Sequence, residues 1–202
     1  MDPQQAARNL EVIRTLMERT CQYQLLTARA GLAAGSLAVL GALLSLALDP
    51  ADPAAFGAVW ALVFAGSLLA TTLGTLMRGR ERGENVWSRQ TRAVVLALAP
   101  GLFAAAVLTA FFFARRMHLW LPGAWMLCYG QGALATAAFA PAPIRWLGAA
   151  MLLLGALSFV LGPPWAVPMM GLAFGAGHLA LGAALLAAER KQRGLRLHRE
   201  VA

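Results

Sequence analysis

Charge is confined to a few places in this chain, and that distribution constrains its fold more than anything else. Six apolar stretches succeed one another, and Asp, Glu, Lys and Arg stand between them or at their ends. A helix needs about 20 largely apolar residues to cross the hydrocarbon of a bilayer, and in hydrocarbon only helices or closed barrels satisfy their own backbone. Apolar runs of this length lack the alternation of barrel strands, so the spacing predicts an all-α integral membrane protein, a six-transmembrane-helix bundle.

The expected spans are Ala28–Leu48, Ala55–Met77, Ala93–Ala114, Leu119–Ala140, Trp146–Leu161 and Trp165–Ala188. Their ends carry physical stop signals. Asp49-Pro-Ala-Asp-Pro53 closes the first, because proline cannot continue the hydrogen-bond ladder and aspartate prefers water. Arg78, Arg80 and Arg82 close the second, and Arg78 to Arg92 form the longest polar connection. Pro100 and Gly101 predict a kink in the third. Trp120 and Trp125 suit the interfacial end of the fourth, where indole rings favour the headgroup region. Pro141, Pro143 and Arg145 make the next turn, and Gly162-Pro-Pro-Trp165 the last. The organisation expected is therefore residues 1–27 as a cytoplasmic interfacial helix, 28–188 as the transmembrane domain and 189–202 as a basic cytoplasmic tail.

With 59% hydrophobic and 13% charged residues, a soluble domain would lack polar material for its surface. The net charge of +8 would suggest nucleic acid in a soluble protein; here the basic residues sit where membrane topology demands them, and no nucleic-acid partner is expected. Six spans put both termini on one side. With that side cytoplasmic, Arg8, Arg14, Arg19, Arg29, the Arg78 to Arg92 loop, Arg145 and the tail lie inside, and Arg115 and Arg116 outside. The positive-inside rule then predicts a multi-pass protein of a bacterial inner membrane with cytoplasmic termini. A charged stretch of more than about twenty residues precedes the first apolar run, unlike a cleavable signal. Cys21 and Cys128 fall in different environments, so neither a disulfide nor a metal site is expected of them.

From Ala6 to Thr27, Leu10, Ile13, Leu16, Met17 and Cys21 share one helical side, with Arg8, Glu11, Glu18, Arg19 and Gln22 opposite. This predicts an amphipathic helix along the headgroups, with Arg14, Glu18 and Arg19 as candidates for a cytoplasmic protein contact. Within the spans, Gly31-x-x-x-Gly35 and Gly171-x-x-x-Gly175 are candidate packing faces, because small residues let helices approach closely. They could serve contacts within the monomer or in a homo-oligomer. Phe64-Ala-Gly-Ser-Leu-Leu-Ala70, Tyr129-Gly-Gln-Gly-Ala-Leu-Ala135 and Phe174-Gly-Ala-Gly-His-Leu-Ala180 share a pattern of an aromatic, small residues and Leu-Ala. They raise the possibility of three tandem helical hairpins, although a chain rich in Ala, Leu and Gly also produces such matches by chance.

No acidic or basic side chain stands near mid-depth, which argues against proton relays of carboxylates. His178, Gln131 and Tyr129 form the candidate intramembrane polar site, with Cys128, Ser67, Thr71 and Thr72 as further polar groups. A histidine in hydrocarbon stays neutral unless a partner stabilises its charge, and Gln131 or Tyr129 can satisfy it. The structural reading is a hydrogen bond stapling the fourth and sixth spans; the functional one is a ligand, proton-sensing or cofactor position. Haem held by two histidines fits poorly, since His118 and His178 lie at different depths and His198 lies in the tail. No catalytic set is present, so no enzyme activity, cofactor or metal is expected. On the outer face, Asp49 and Asp52 are expected near Arg115, Arg116 and His118.

Ile13-Arg-Thr-Leu-Met-Glu-Arg19 with Tyr23, Tyr129-Gly130, Ile144-Arg-Trp-Leu-Gly148, Phe174-Gly-Ala-Gly-His178 and Gly182 resemble a family of small bacterial six-span inner-membrane proteins of unassigned role. The Gly-Pro-Pro hairpin is more weakly similar to hairpin-repeat acid-resistance membrane proteins. Family members stand beside a winged-helix regulator, so the resemblance implies a stress-related or sensory accessory component. The alternative is a small transporter or channel with its path near Gln131 and His178.

Overall fold

A computed structural model describes residues 5, 26–137 and 139–201, with the backbone alone from residue 192 onward. The expected amphipathic helix with Arg14, Glu18 and Arg19 lies outside the described residues. Among those described there is no strand. Helix α1 (Ala28–Ala47) is followed by α2 (Pro53–Arg82), α3 (Arg89–Ala114), α4 (Leu121–Ala135) and α5 (Ala142–Leu161). The last stretch runs as α6 (Ala166–Met170), a π-helical turn (Gly171–Ala176) and α7 (Gly177–Val201).

Sequence chemistry sets most of these boundaries. The Thr27 hydroxyl accepts from the Ala30 N–H and caps α1, Asp52 caps α2 ahead of Pro53, and Ser88 caps α3 through the Thr91 N–H. Gly83, at φ 63°, ends α2 in the left-handed region. Pro100 is carried inside α3 without ending it.

Among the described residues, five stretches are long and apolar enough to cross a membrane: Ala28–Ala47, Pro53–Arg82, Arg89–Ala114, Ala142–Leu161 and Pro163–Lys191. The expected fourth span, Leu119–Ala140, is the exception, because its α-helix covers 15 residues, Leu121–Ala135. A 3-10 turn at His118–Trp120 precedes it, and beyond its last turn the buried Thr136 hydroxyl donates to the Ala133 carbonyl. Buried positions recur along α4, at Leu121, Pro122, Gly123, Ala124, Met126, Gly130, Gly132 and Ala133, so protein encloses much of it.

Glycines decide which helices touch. Along α1 and α7, a Cβ on Gly35 would stand 2.6 Å from the Leu179 nitrogen and 2.9 Å from the Gly175 carbonyl. On Gly182 it would stand 2.7 Å from the Leu32 nitrogen, and on Gly31 it would stand 3.1 Å from Gly182 Cα. The remaining candidate packing glycines join the same antiparallel seam, Gly171 against the Ala42 methyl at 3.1 Å and Gly175 against the Val39 nitrogen at 3.3 Å. A second seam joins α4 and α5 reciprocally. Gly130 faces the Gly148 carbonyl and Gly148 faces the Gly130 carbonyl, at 2.9 and 3.0 Å from the added Cβ; Gly123 and Gly155 repeat the exchange at 3.2 and 3.1 Å. Such approaches suit Cα–H···O contacts, which recur at close helix interfaces.

Neither seam lies within one of the three expected hairpins. The three matched aromatics also differ in surroundings: Tyr129 and Phe174 meet edge to face with ring centroids 5.6 Å apart, while Phe64 is exposed. Two apolar clusters fill the interior. One gathers Met126, Leu147, Met151, Ala173, Leu181 and Leu185, and the other Ala38, Ala42, Phe56, Val59, Trp60 and Met170. The outer surface is apolar as well, with Leu62, Leu96, Phe103 and Val160 exposed, as lipid contact requires.

Candidate functional site

The expected polar site forms where the π turn faces α4. Single-turn π segments widen a helix and often mark functional positions. Here the widened turn ends at Ala176, two residues before His178. The His178 ring sits parallel to the Phe174 ring, with centroids 6.2 Å apart and planes at 12°. The Tyr129 ring stands 5.5 Å from His178.

The hydrogen bonds fix the histidine tautomer. Nδ1 lies 2.8 Å from the Phe174 carbonyl oxygen. A carbonyl only accepts, so Nδ1 carries the proton and donates. In the neutral ring Nε2 then holds a lone pair, and it accepts from the Tyr129 hydroxyl at 3.0 Å. Both nitrogens are engaged, and every atom of the triad that needs a partner has one inside the protein. To act as a base or an axial metal ligand, Nε2 would first have to give up the tyrosine proton.

Gln131 does not join them. Tyr129 and Gln131 stand two positions apart on one helix, about 200° around its axis, so both cannot face α7. Tyr129 turns inward, whereas Gln131 is exposed and makes no hydrogen bond among the described residues. Cys128 lies toward α3, where Gly101 approaches its carbonyl, and Ser67 and Thr71 are half-buried on α2, with Thr72 exposed.

The end of the bundle that holds His118 differs from the expected charged rim. His118 is buried, its Nε2–H donating to the Pro50 carbonyl at 3.0 Å and its ring packed against Phe56 and Phe113. It therefore ties the loop after α1 to the turn before α4. Asp49 and Asp52 accept from the Ala51 and Ala54 N–H groups at 2.9 Å each, serving the turn and the α2 cap. Arg115 lies over the Phe111 ring at 5.6 Å. Backbone groups and rings thus take the partners that the sequence assigned to opposite charges. His118 Nδ1, Trp60 Nε1 and Ser45 Oγ are buried in this half of the bundle without a hydrogen-bond partner among the described residues.

Two contacts carried no sequence signal. Trp125 Nε1–H donates to Thr109 Oγ1 at 2.8 Å, joining α4 to α3. At the opposite end Arg78 pairs with Glu189, joining α2 to α7. The second bridges residues 111 apart in the chain, and neither lies in a motif. Among the described residues no group of three or more His, Cys, Asp or Glu is placed to hold a metal ion. Comparison with protein-family models, with curated proteins and with solved structures finds no match to this chain.

Proposed function

We propose that this protein is a non-enzymatic, six-span component of a bacterial inner membrane, with both termini cytoplasmic, that serves a partner protein as a stress-related or sensory accessory. The observation that carries the reading is the closed state of the Tyr129–His178–Phe174 triad, whose polar atoms satisfy one another. Such a group holds α4 to α7 and engages both nitrogens of the histidine. The short α4 counts as the sixth span because it connects the His118 end of the bundle to the Arg145 end. The basic residues support the orientation: Arg78, Arg80, Arg82, Arg89, Arg92, Arg145, Arg190 and Lys191 gather at the end of Glu189, and Arg115 and Arg116 at the other.

The alternative transport path past Gln131 and His178 receives less support, because the two side chains face different sides of α4. Purification from native membranes in mild detergent separates the readings. A co-purifying protein released by Arg14→Glu with Glu18→Lys is the expected result. Recovery of the chain alone in several detergents, with solute flux into proteoliposomes that His178→Ala abolishes, would overturn it.

A further inference from the structure

From Asn85 to Ala188 the chain contains Arg89, Arg92, Arg115, Arg116 and Arg145 and no aspartate or glutamate. Helices α3, α4 and α5 fall wholly inside that stretch. At the end of the bundle that holds Glu189, Arg89, Arg92 and Arg145 are exposed, and none of the three meets an acid among the described residues. Their counter-charge therefore has to come from outside these helices, and the headgroup layer of a bilayer supplies phosphates at that level.

Helix rotation places one of these arginines beside an opening. Successive helical residues turn by about 100°. On α4, Tyr129 meets His178, Gly130 meets Gly148 of α5, and Gly132 meets Leu98 of α3. Gln131 therefore points outward between α5 and α3, exposed and without a hydrogen bond among the described residues. On α5 the same rotation takes Leu147 to Gly177, Gly148 to α4 and Ala149 to the outward side, with Arg145 one turn before Ala149 on the same face. Because Gly130 lies opposite Gly148, Gln131 is level with Ala149, four residues or about 6 Å from the Ala135 end of α4, and Arg145 stands about one turn nearer that end. Ala124, two turns from Gln131 on the same face of α4, is buried. The face is thus open at the Gln131 end and closed toward the middle.

We propose that this opening binds an anionic phospholipid of the surrounding bilayer, Arg145 holding the headgroup phosphate and the Gln131 carboxamide donating to an acyl ester carbonyl. The order of the two side chains along the bundle axis is the order of those two groups in a phospholipid, with the phosphate nearer water. A guanidinium matches phosphate oxygens with two parallel N–H groups, and a neutral carboxamide has N–H donors for a carbonyl. Trp146, exposed beside Arg145 with the guanidinium 5.7 Å from its ring, suits the same headgroup level. The missing acids set the preference for an anionic headgroup. The ammonium of a zwitterionic lipid would seek a carboxylate, and α3, α4 and α5 contain none. A free phosphate would satisfy Arg145 and leave Gln131 unpaired.

The inference rests on the reading of α4 as a membrane span, and the experiment separates the two. Full-length protein with Cys21→Ser and Cys128→Ala carries a fluorophore at Ala149→Cys, beside the opening, or at Leu96→Cys, exposed on the side of α3 away from α4. Vesicles of phosphatidylcholine contain a fraction of either phosphatidylglycerol or phosphatidylcholine brominated in the acyl chains, and quenching reads which lipid sits beside the label. The expected preference for phosphatidylglycerol is about three- to tenfold at position 149 and about onefold at position 96. Arg145→Gln should bring the value at 149 to about onefold without changing that at 96, and Gln131→Leu should lower it about twofold. No preference at 149, or one that Arg145→Gln leaves intact, would overturn the lipid site. A preference lost in inorganic phosphate and kept in chloride of equal ionic strength would assign the opening to a free anion and also overturn it. A fluorophore at Gln131→Cys that neither brominated lipid quenches would instead refute the placement of α4 in the bilayer.

Discussion

The α1–α7 seam and the contact between α2 and α3 are made from the same Ala, Leu and Gly vocabulary and end differently. In the seam, Gly35 and Gly182 face backbone nitrogens and carbonyls of the opposite helix, which cannot move aside without moving the helix. Between α2 and α3, Gly57 faces the tip of the Phe113 ring, 3.1 Å from an added Cβ, and a ring can rotate. α1 is buried at Ala28, Ala30, Gly31, Gly35, Ala38, Gly41, Ala42 and Ser45, whereas α3 buries Thr91 alone and meets opposing backbone on α4 at Gly101. A small residue sets the distance between helices when backbone lies opposite, and leaves it free when a flexible side chain does.

The sharpest way to break this contrast is a methyl group placed in each contact. Gly35→Ala should cost about 1–3 kcal/mol or more, since overpacking here displaces backbone, and Gly57→Ala should cost less than about 0.5 kcal/mol. Thermal unfolding in mild detergent measures both, and equal losses would remove the distinction. A smaller effect is expected at the link from α4 to the last helix. His178→Phe and Tyr129→Phe each leave a polar partner unmatched, and their double-mutant cycle should give a coupling of about 0.6–1.7 kcal/mol, the range of such bonds in membranes. A coupling of zero would mean that rings, and not the hydrogen bond, hold the triad. The smallest effect belongs to the loose side: Leu96, exposed to 71%, should tolerate Leu96→Ala within about 0.5 kcal/mol.

The helices and their interruptions were legible because proline, aspartate and arginine act locally, through the missing N–H and the cost of charge in hydrocarbon. The glycine pairs were legible as faces, and their partners were not: Gly31 and Gly35 meet α7 because of how the chain returns, a long-range fact. Tyr129 beside His178 was among the expected pairings, and helix periodicity alone already forbade Gln131 from sharing that role. His118 was misplaced for a different reason. As an isolated residue beside Arg116 it reads as solvated, and the Pro50 carbonyl that accepts its proton arrives from a loop 68 residues earlier. The π turn at Gly171–Ala176 had no distinct sequence signal, since glycine there also fits an ordinary helix.

The 15 residues of α4 carry a consequence for the membrane itself. At 1.5 Å per residue the helix is about 22 Å long, shorter than a hydrocarbon layer of about 30 Å, while the 30 residues of α2 reach about 45 Å. Hydrophobic mismatch is therefore uneven around the perimeter. With α4 read as the sixth span, as proposed above, lipids beside it thin more than those beside α2, and the bilayer is deformed on one flank of the molecule. That deformation costs a fraction of a kcal/mol per Å, so on this reading a bilayer of shorter acyl chains suits the α4 flank better than a thick one.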